Sequence, residues 1–375
     1  MEAQPDSLTR SHTRHVLGME PRLARALTTA LGALVVLVLV ADVGAPGFLA
    51  GLGLAALPVP LYVALALWLD RFEAEPGPVL LRAFLWGAVV AVVVSLIGNR
   101  LAFMVLTMLF GAGAADLLSG TLAAPAIEEV AKGTALLLLF LHHDDEFDNV
   151  TDGVVYAAMI GLGFAMTENA LYYGRAWDTA SLSQLFLIRG VVGPFAHPLF
   201  TAMTGIGVGL ARERHGQHGS WLAPLIGLAA AILLHALWNG AASAQLLFPT
   251  AYALVMVPAF LAALFTVGRS GRREVGILRT YLAPFVVEGT LDGAGLDALC
   301  TLRGRIRANF VAWREGGLHG LAERRAFHDT ITRYAFQTWR LERGIDAGPQ
   351  ARARLQANLV SVRGYFDRRA VPRVG

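Results

Sequence analysis

Nine apolar runs, most of them long enough to cross a bilayer, constrain this 375-residue chain more than any other feature. A membrane helix needs about 20 predominantly apolar residues. The runs are Ala26–Val43, Phe48–Leu69, Val79–Ile97, Leu101–Ala115, Ala126–Leu141, Gly153–Tyr173, Leu185–Ala211, Trp221–Leu247 and Thr250–Gly268. Leu101–Ala115 is short and could be re-entrant. Short polar connections join several of them: Asp70–Pro76, His142–Asp148 and Arg212–His218. The pattern predicts an all-α fold, a polytopic transmembrane helix bundle of about 8–9 spans. With 55% apolar and only 16% charged residues, too little polar surface remains to clothe two or three soluble domains. Cys300, the lone cysteine, excludes a disulfide scaffold. The first run lacks a signal-peptide cleavage pattern and is expected to be retained.

Charge divides the chain further. Of 31 basic residues only Lys132 is a lysine, and nineteen arginines with ten acids lie beyond residue 268. Three regions are expected: a polar N-terminal segment (1–25), the helix bundle (26–268) and an Arg-rich cytosolic helical tail (269–375). The arginine bias of short loops places the tail and the Arg212/Arg214 connection in the cytoplasm. Arg10, Arg14, Arg22 and Arg25 ask for the same side, which nine spans do not allow.

Ionisable groups within a span cost several kcal/mol and are functional candidates by default. They are Glu128, Glu129, Lys132, Glu168, Arg189, His197 and His235, with the amides Asn169 and Asn239 close by. Glu128 and Lys132 stand four apart and are expected to pair, leaving Glu129 turned about 100° away with a free carboxylate. His235 and Asn239, also four apart, share a face. Because successive helices alternate direction, these groups can meet at one depth. Pro194 and Pro198 flank His197 and predict a kink there. The histidines and acids of the His142–Asp145 and His215–His218 stretches read as solvated loops.

A carboxylate and two imidazoles in a low-dielectric cavity suit activation of water, with a Glu as general base. His235 and Asn239 can donate to a developing oxyanion. The same inventory could hold zinc, through Glu129, His197 and His235, although a His-Glu-x-x-His signature is absent. No serine or paired-aspartate protease motif competes.

Glu128-Glu-Val-Ala-Lys132, Phe147-Asp-Asn-Val-Thr-Asp-Gly, Gly161-Leu-Gly-Phe-Ala-Met-Thr-Glu-Asn169, His197 and His235-Ala-Leu-Trp-Asn239 together resemble the PrsW family of bacterial intramembrane proteases. The resemblance runs from about Leu61 to Leu247 and extends, more distantly, to the CAAX-processing glutamate proteases. It favours a glutamic-type intramembrane endopeptidase, with Glu-activated water rather than a metal, while leaving a zinc-dependent site open. Glu128 or Glu129 is then the base, with His197 or Glu168 as its partner. His235 and Asn239 form the oxyanion hole, and Lys132, Asn169 and Arg189 support the site. It further implies residence in the bacterial cell membrane and a single-span substrate such as an anti-sigma factor.

The runner-up reading is a proton- or ion-coupled transporter using the same Glu/His/Arg network, although no inverted repeat is visible. A scaffold displaying the tail is a third. The tail lies outside the resemblance. Its helical periodicity and arginines point to anionic lipid heads rather than to nucleic acid.

Overall fold

The computed structural model describes residues 21–70, 72, 75–142, 147–215, 221–344 and 348–370. Among them, all regular elements are helical. Six helical stretches are long and apolar enough to cross a membrane by length and composition: Arg22–Leu69, Gly77–Phe110, Val150–Ala176, Leu182–Glu213, Leu222–Ser243 and Phe248–Val287. Ala124–His142, at 19 residues, is also of membrane length but carries Glu128, Glu129 and Lys132.

The first stretch is a hairpin. Helix α1 (Pro21–Ala56) breaks at Gly44, whose φ of 73° lies in the left-handed region open to glycine. Val43 and Gly47, on either side of the break, both pack on Gly174. Before it Val35 clusters with Phe164, and after it Ala55 clusters with Ala170. The two limbs therefore run in opposite senses along one partner, and α2 (Val59–Leu69) extends the second limb. They correspond to the first two expected spans.

The expected separate span Leu101–Ala115 is corrected. Helix α3 runs unbroken over Gly77–Phe110, with a π-turn at Trp86–Ala91. Asn99 and Arg100, which look like a polar connection, lie in mid-helix: Asn99 bonds Glu128 and Arg100 is exposed. The reversal comes at Gly111, with φ 81°. From there α4 (Ala112–Leu118), a π-turn (Ser119–Ala123) and α5 (Ala124–His142) return along α3, with Gly98 against Ile127.

Helix α6 (Val150–Ala176) begins with a capping box: Asn149 accepts from the backbone of Thr151 and Asp152, and Asp152 accepts from the backbone of Asn149. Its most apolar window is 89% buried, so it forms the axis of the bundle. The expected span Leu185–Ala211 is divided into α7 (Leu182–Phe186), a π-turn (Leu187–Val192) and α8 (Ala196–His215). The break at residues 193–195 contains Pro194, where the flanking prolines predict a kink. The Gly205-Ile-Gly-Val-Gly stripe of α8 packs on Gly153, Ala223 and Val150. Helix α9 (Leu222–Ser243) follows.

Helix α10 (Phe248–Val287) passes without a break through residue 268, the expected edge of the bundle. Its end packs with α11 (Gly293–Leu299), α12 (Leu302–Glu342) and α13 (Pro349–Ala370) around Leu278, Leu282, Ile331, Phe336 and Val362. This C-terminal core also takes in Phe72 from the connection after α2, where Arg305 Nη1 donates to the Phe72 carbonyl at 2.9 Å. Arg340 pairs with Asp148, and Thr151 Oγ1 donates to Glu274 at 2.6 Å. The C-terminal helices are thus built onto the connections at one end of the bundle.

Residues 1–20, His143–Asp145 and His218 lie outside the described residues. His142 hydrogen-bonds through Nδ1 to the Leu138 carbonyl at 3.0 Å.

Candidate active site

Four helices bring the intramembrane charges together. Glu128, Glu129 and Lys132 come from α5, Glu168 and Asn169 from α6, His197 from α8, and His235 and Asn239 from α9. Arg189 enters from the π-turn before α8. All of these except Glu129, Lys132 and Asn169 line one cavity of about 580 Å³.

The pairing on α5 differs from the expected one. Lys132 Nζ lies 2.7 Å from Glu129 Oε1 and 3.9 Å from Glu128 Oε2. A three-residue spacing serves as well as four on a helix face, and the local packing selects Glu129. That carboxylate is sealed: Oε1 also meets His235 Nδ1 at 3.0 Å, and Oε2 accepts from Thr201 Oγ1 at 3.0 Å. Lys132 itself is fully buried, 3.0 Å from His197 Nδ1 and 4.0 Å from the centre of the Phe164 ring.

Hydrogen-bond roles follow from the donors. A carboxylate only accepts, so His235 donates from Nδ1 to Glu129, and its other ring nitrogen is Nε2. That nitrogen faces Glu128 Oε2 at 3.8 Å. The ammonium donates to His197 Nδ1, and His197 Nε2 donates in turn to Glu168 Oε2 at 2.9 Å. Glu168 also receives Arg189, whose Nε bonds Asn169 Oδ1 at 2.6 Å. The guanidinium stacks on Tyr172. Glu128 Oε1 accepts from Asn99 at 3.3 Å, while the buried Oε2 has no hydrogen-bond partner among the described residues.

The carboxylate that converges with the two imidazoles is thus Glu128, not the Glu129 expected for a metal set. Glu128, His197 and His235 each offer one ligand atom, and these lie within 4.8 Å of one another. Charge points the same way. Glu129 is matched closely by Lys132 and Glu168 by Arg189, so Glu128 is the acid with only the longer 3.9 Å contact to Lys132, at a depth where such a charge is costly. Asn239 lines the cavity but donates to the Gly120 carbonyl at 3.0 Å, with no bond to His235 among the described residues.

Two partners escaped the sequence reading, Asn99 and Thr201, as did Ser95, which lines the cavity. Thr201 stands four residues after His197, a spacing that carried the signal. Asn99 fell in the gap between the runs Val79–Ile97 and Leu101–Ala115.

The family model described as "PrsW family intramembrane metalloprotease" matches residues 75–263, half of the chain. The chain belongs to the PrsW family. Protease PrsW of Geobacillus kaustophilus is 33% identical over 144 residues, 38% of this chain and 58% of that protein. Protease PrsW of Oceanobacillus iheyensis is 30% identical over 151 residues, 40% of this chain and 66% of that one. The Bacillus subtilis protein of the same name is 28% identical over 144 residues, 38% and 60% of the two chains. The alignments thus span less than two thirds of these relatives. No solved structure matches the chain. Apolar helices and family together make this PrsW-family chain a membrane protein, and its transporter alternative finds no counterpart among the relatives.

Proposed function

We propose that this chain is an intramembrane endopeptidase that hydrolyses a peptide bond in or near the spanning segment of a membrane-anchored protein. The observation that carries the reading is the convergence of Glu128, His197 and His235 on a cavity inside an apolar helix bundle, with Glu128 Oε2 making no hydrogen bond among the described residues. The donor set fits a zinc-type ion. Neighbouring ligands on a tetrahedral zinc stand roughly 3.3 Å apart, close to the 3.8 Å between Glu128 Oε2 and His235 Nε2. The Glu129–His235 bond supplies the carboxylate–histidine support such ligands need. Glu128, His235 and His197 would hold the ion, His197 giving up one of its present bonds. A bound zinc would acidify water.

The protein's own groups do the rest. Glu168, on the cavity wall between His197 and Arg189, accepts the proton of the attacking water and returns it to the leaving amine. Asn239 spends one N–H on Gly120 and keeps the second for the carbonyl oxygen on which charge develops. A metal-free reading, with Glu128 as the base, is favoured by Lys132, whose ammonium already sits 3.0 Å from His197 and 3.9 Å from Glu128.

The chain path supports an orientation. With α1 a hairpin and α3 continuous, eight passes bring Arg22 and Arg25 to the end of the bundle that carries the C-terminal helices. That reading resolves the conflict over the arginine bias, with Arg22, Arg25 and the C-terminal helices on the cytoplasmic side of a bacterial cell membrane. Helix α12 exposes Ile306, Phe310 and Trp313 as a stripe flanked by exposed Arg303, Arg307 and Arg314, a face suited to anionic lipid heads. The substrate class is a single-span protein, of which an anti-sigma factor is the case the resemblance implies.

The test is cleavage of a single-span peptide by the full chain in proteoliposomes, with metal content measured on the purified protein. Loss of cleavage with 1,10-phenanthroline, restored by zinc, supports the metal set. Full activity without bound metal supports Glu128 as base. Undiminished cleavage by Glu128→Gln overturns both.

A further inference from the structure

Two more polar atoms on the cavity wall are left without partners. Ser95 Oγ and Asn99 Oδ1 are both buried and make no hydrogen bond among the described residues. Several helix hydroxyls of this chain resolve the same situation locally. Thr28, Thr107, Thr134 and Ser243 turn their hydroxyls back to the carbonyl four residues earlier, the ordinary resort of such groups in apolar helices. Ser95 does not, although it is only 4% exposed. Asn99 commits its amide nitrogen to Glu128 and leaves its oxygen open.

Ser95 and Asn99 are four apart on α3 and therefore share one face, beside Glu128, to which Asn99 donates. Their β-carbons stand roughly 5–6 Å apart. Groups on the same side of an extended peptide recur at about 6.6 Å, so the two side chains match the spacing of an extended backbone.

Intramembrane hydrolysis creates a need for such a match. A spanning helix must open before one of its peptide bonds can be reached, and in hydrocarbon the freed N–H and C=O groups have no water to turn to. We infer that Ser95 and Asn99 form a subsite for the backbone of the unwound substrate segment, laid extended along α3 next to Glu128. Asn99 Oδ1 accepts a backbone N–H, and the Ser95 hydroxyl bonds a second backbone group one step along. The inference deepens the peptidase reading and rests on it for the identity of the ligand.

The test separates the two. The full chain carrying Glu128→Gln is placed in nanodiscs, and its affinity for a donor-labelled Ala/Leu single-span peptide with a central Gly-Pro pair is read by energy transfer. Adding Ser95→Ala and Asn99→Leu should weaken binding about tenfold or more, while Ser95→Thr with Asn99 intact should restore most of it. On an uninterrupted Ala/Leu helix, which keeps its own hydrogen bonds, the same changes should have little effect. Equal affinity with and without the two substitutions, or equal loss for both peptides, would overturn the subsite. Failure of the wild-type chain to cleave a peptide that it binds through these residues would sink the peptidase reading and leave the subsite standing.

Discussion

Glu129 Oε1 lies 3.0 Å from Nδ1 of His235, and this bond aims the other nitrogen of the ring at Glu128. The adjacent glutamates therefore have separate tasks. Glu129 holds Lys132, His235 and Thr201 in place, whereas Glu128 faces the cavity. Glu128→Gln should abolish cleavage with little change in thermal stability. Glu129→Ala strands a buried ammonium and should destabilise the fold by about 3–5 kcal/mol as well as inactivating it. Parallel activity assays and melting curves in detergent check the division; equal melting temperatures would contradict it.

Gly161 lies against the backbone at His197. A β-carbon there would fall 2.7 Å from the His197 carbonyl and from Pro198 N, so rigid backbone must give way. Gly161→Ala should move His197 off Glu168, costing about 1–3 kcal/mol of stability and a larger share of activity. A variant with wild-type turnover would show that the helices re-pack without disturbing the site.

The site was legible in the sequence as far as residue type and depth allow. Charges are so costly in apolar runs that Glu128, Glu168, Arg189, His197 and His235 announce themselves, and helix alternation brings them together. The choice of Glu129 rather than Glu128 as the partner of Lys132 was not legible, since both spacings place the groups on one face and side-chain packing decides. Asn99-Arg100 misled for a related reason. A polar pair in an apolar run looks like a turn until a buried acid on the neighbouring helix is known to need an amide.

Burial, then the charges of Arg305 and Arg324, hold the His328 imidazole down at about 3, against an ordinary 6.5. The unfolded chain gains a proton below 6.5 that the folded one refuses until about 3. His328 therefore favours the fold fully above 6.5, and that contribution is lost as pH falls towards 3. His328→Leu should flatten this part of the acid response. Limited proteolysis of α12 and α13 across pH 7 to 4, in wild type and variant, measures it; parallel profiles would refute the assignment.

If α12 lies on anionic lipid, Trp313 should be quenched by brominated lipids in vesicles containing phosphatidylglycerol. Arg303→Glu with Arg307→Glu should weaken that quenching, at about 1 kcal/mol per neutralised contact. Quenching that ignores lipid charge and both substitutions would leave the stripe without this role.

Most helices of a membrane protein divide their surface, one side for neighbours and the other for hydrocarbon chains, and the outer side drifts freely among greasy residues. Val150–Ala176 has almost no such outer side over its most apolar window. Apart from the cavity face at Glu168 and the exposed Tyr172 and Arg175 near its end, its sides meet other helices, so it behaves like the central strand of a soluble sheet. Replacements at its Gly, Ala and Thr positions should be poorly tolerated all the way round, even by isoleucine or leucine, the residues a bilayer otherwise welcomes.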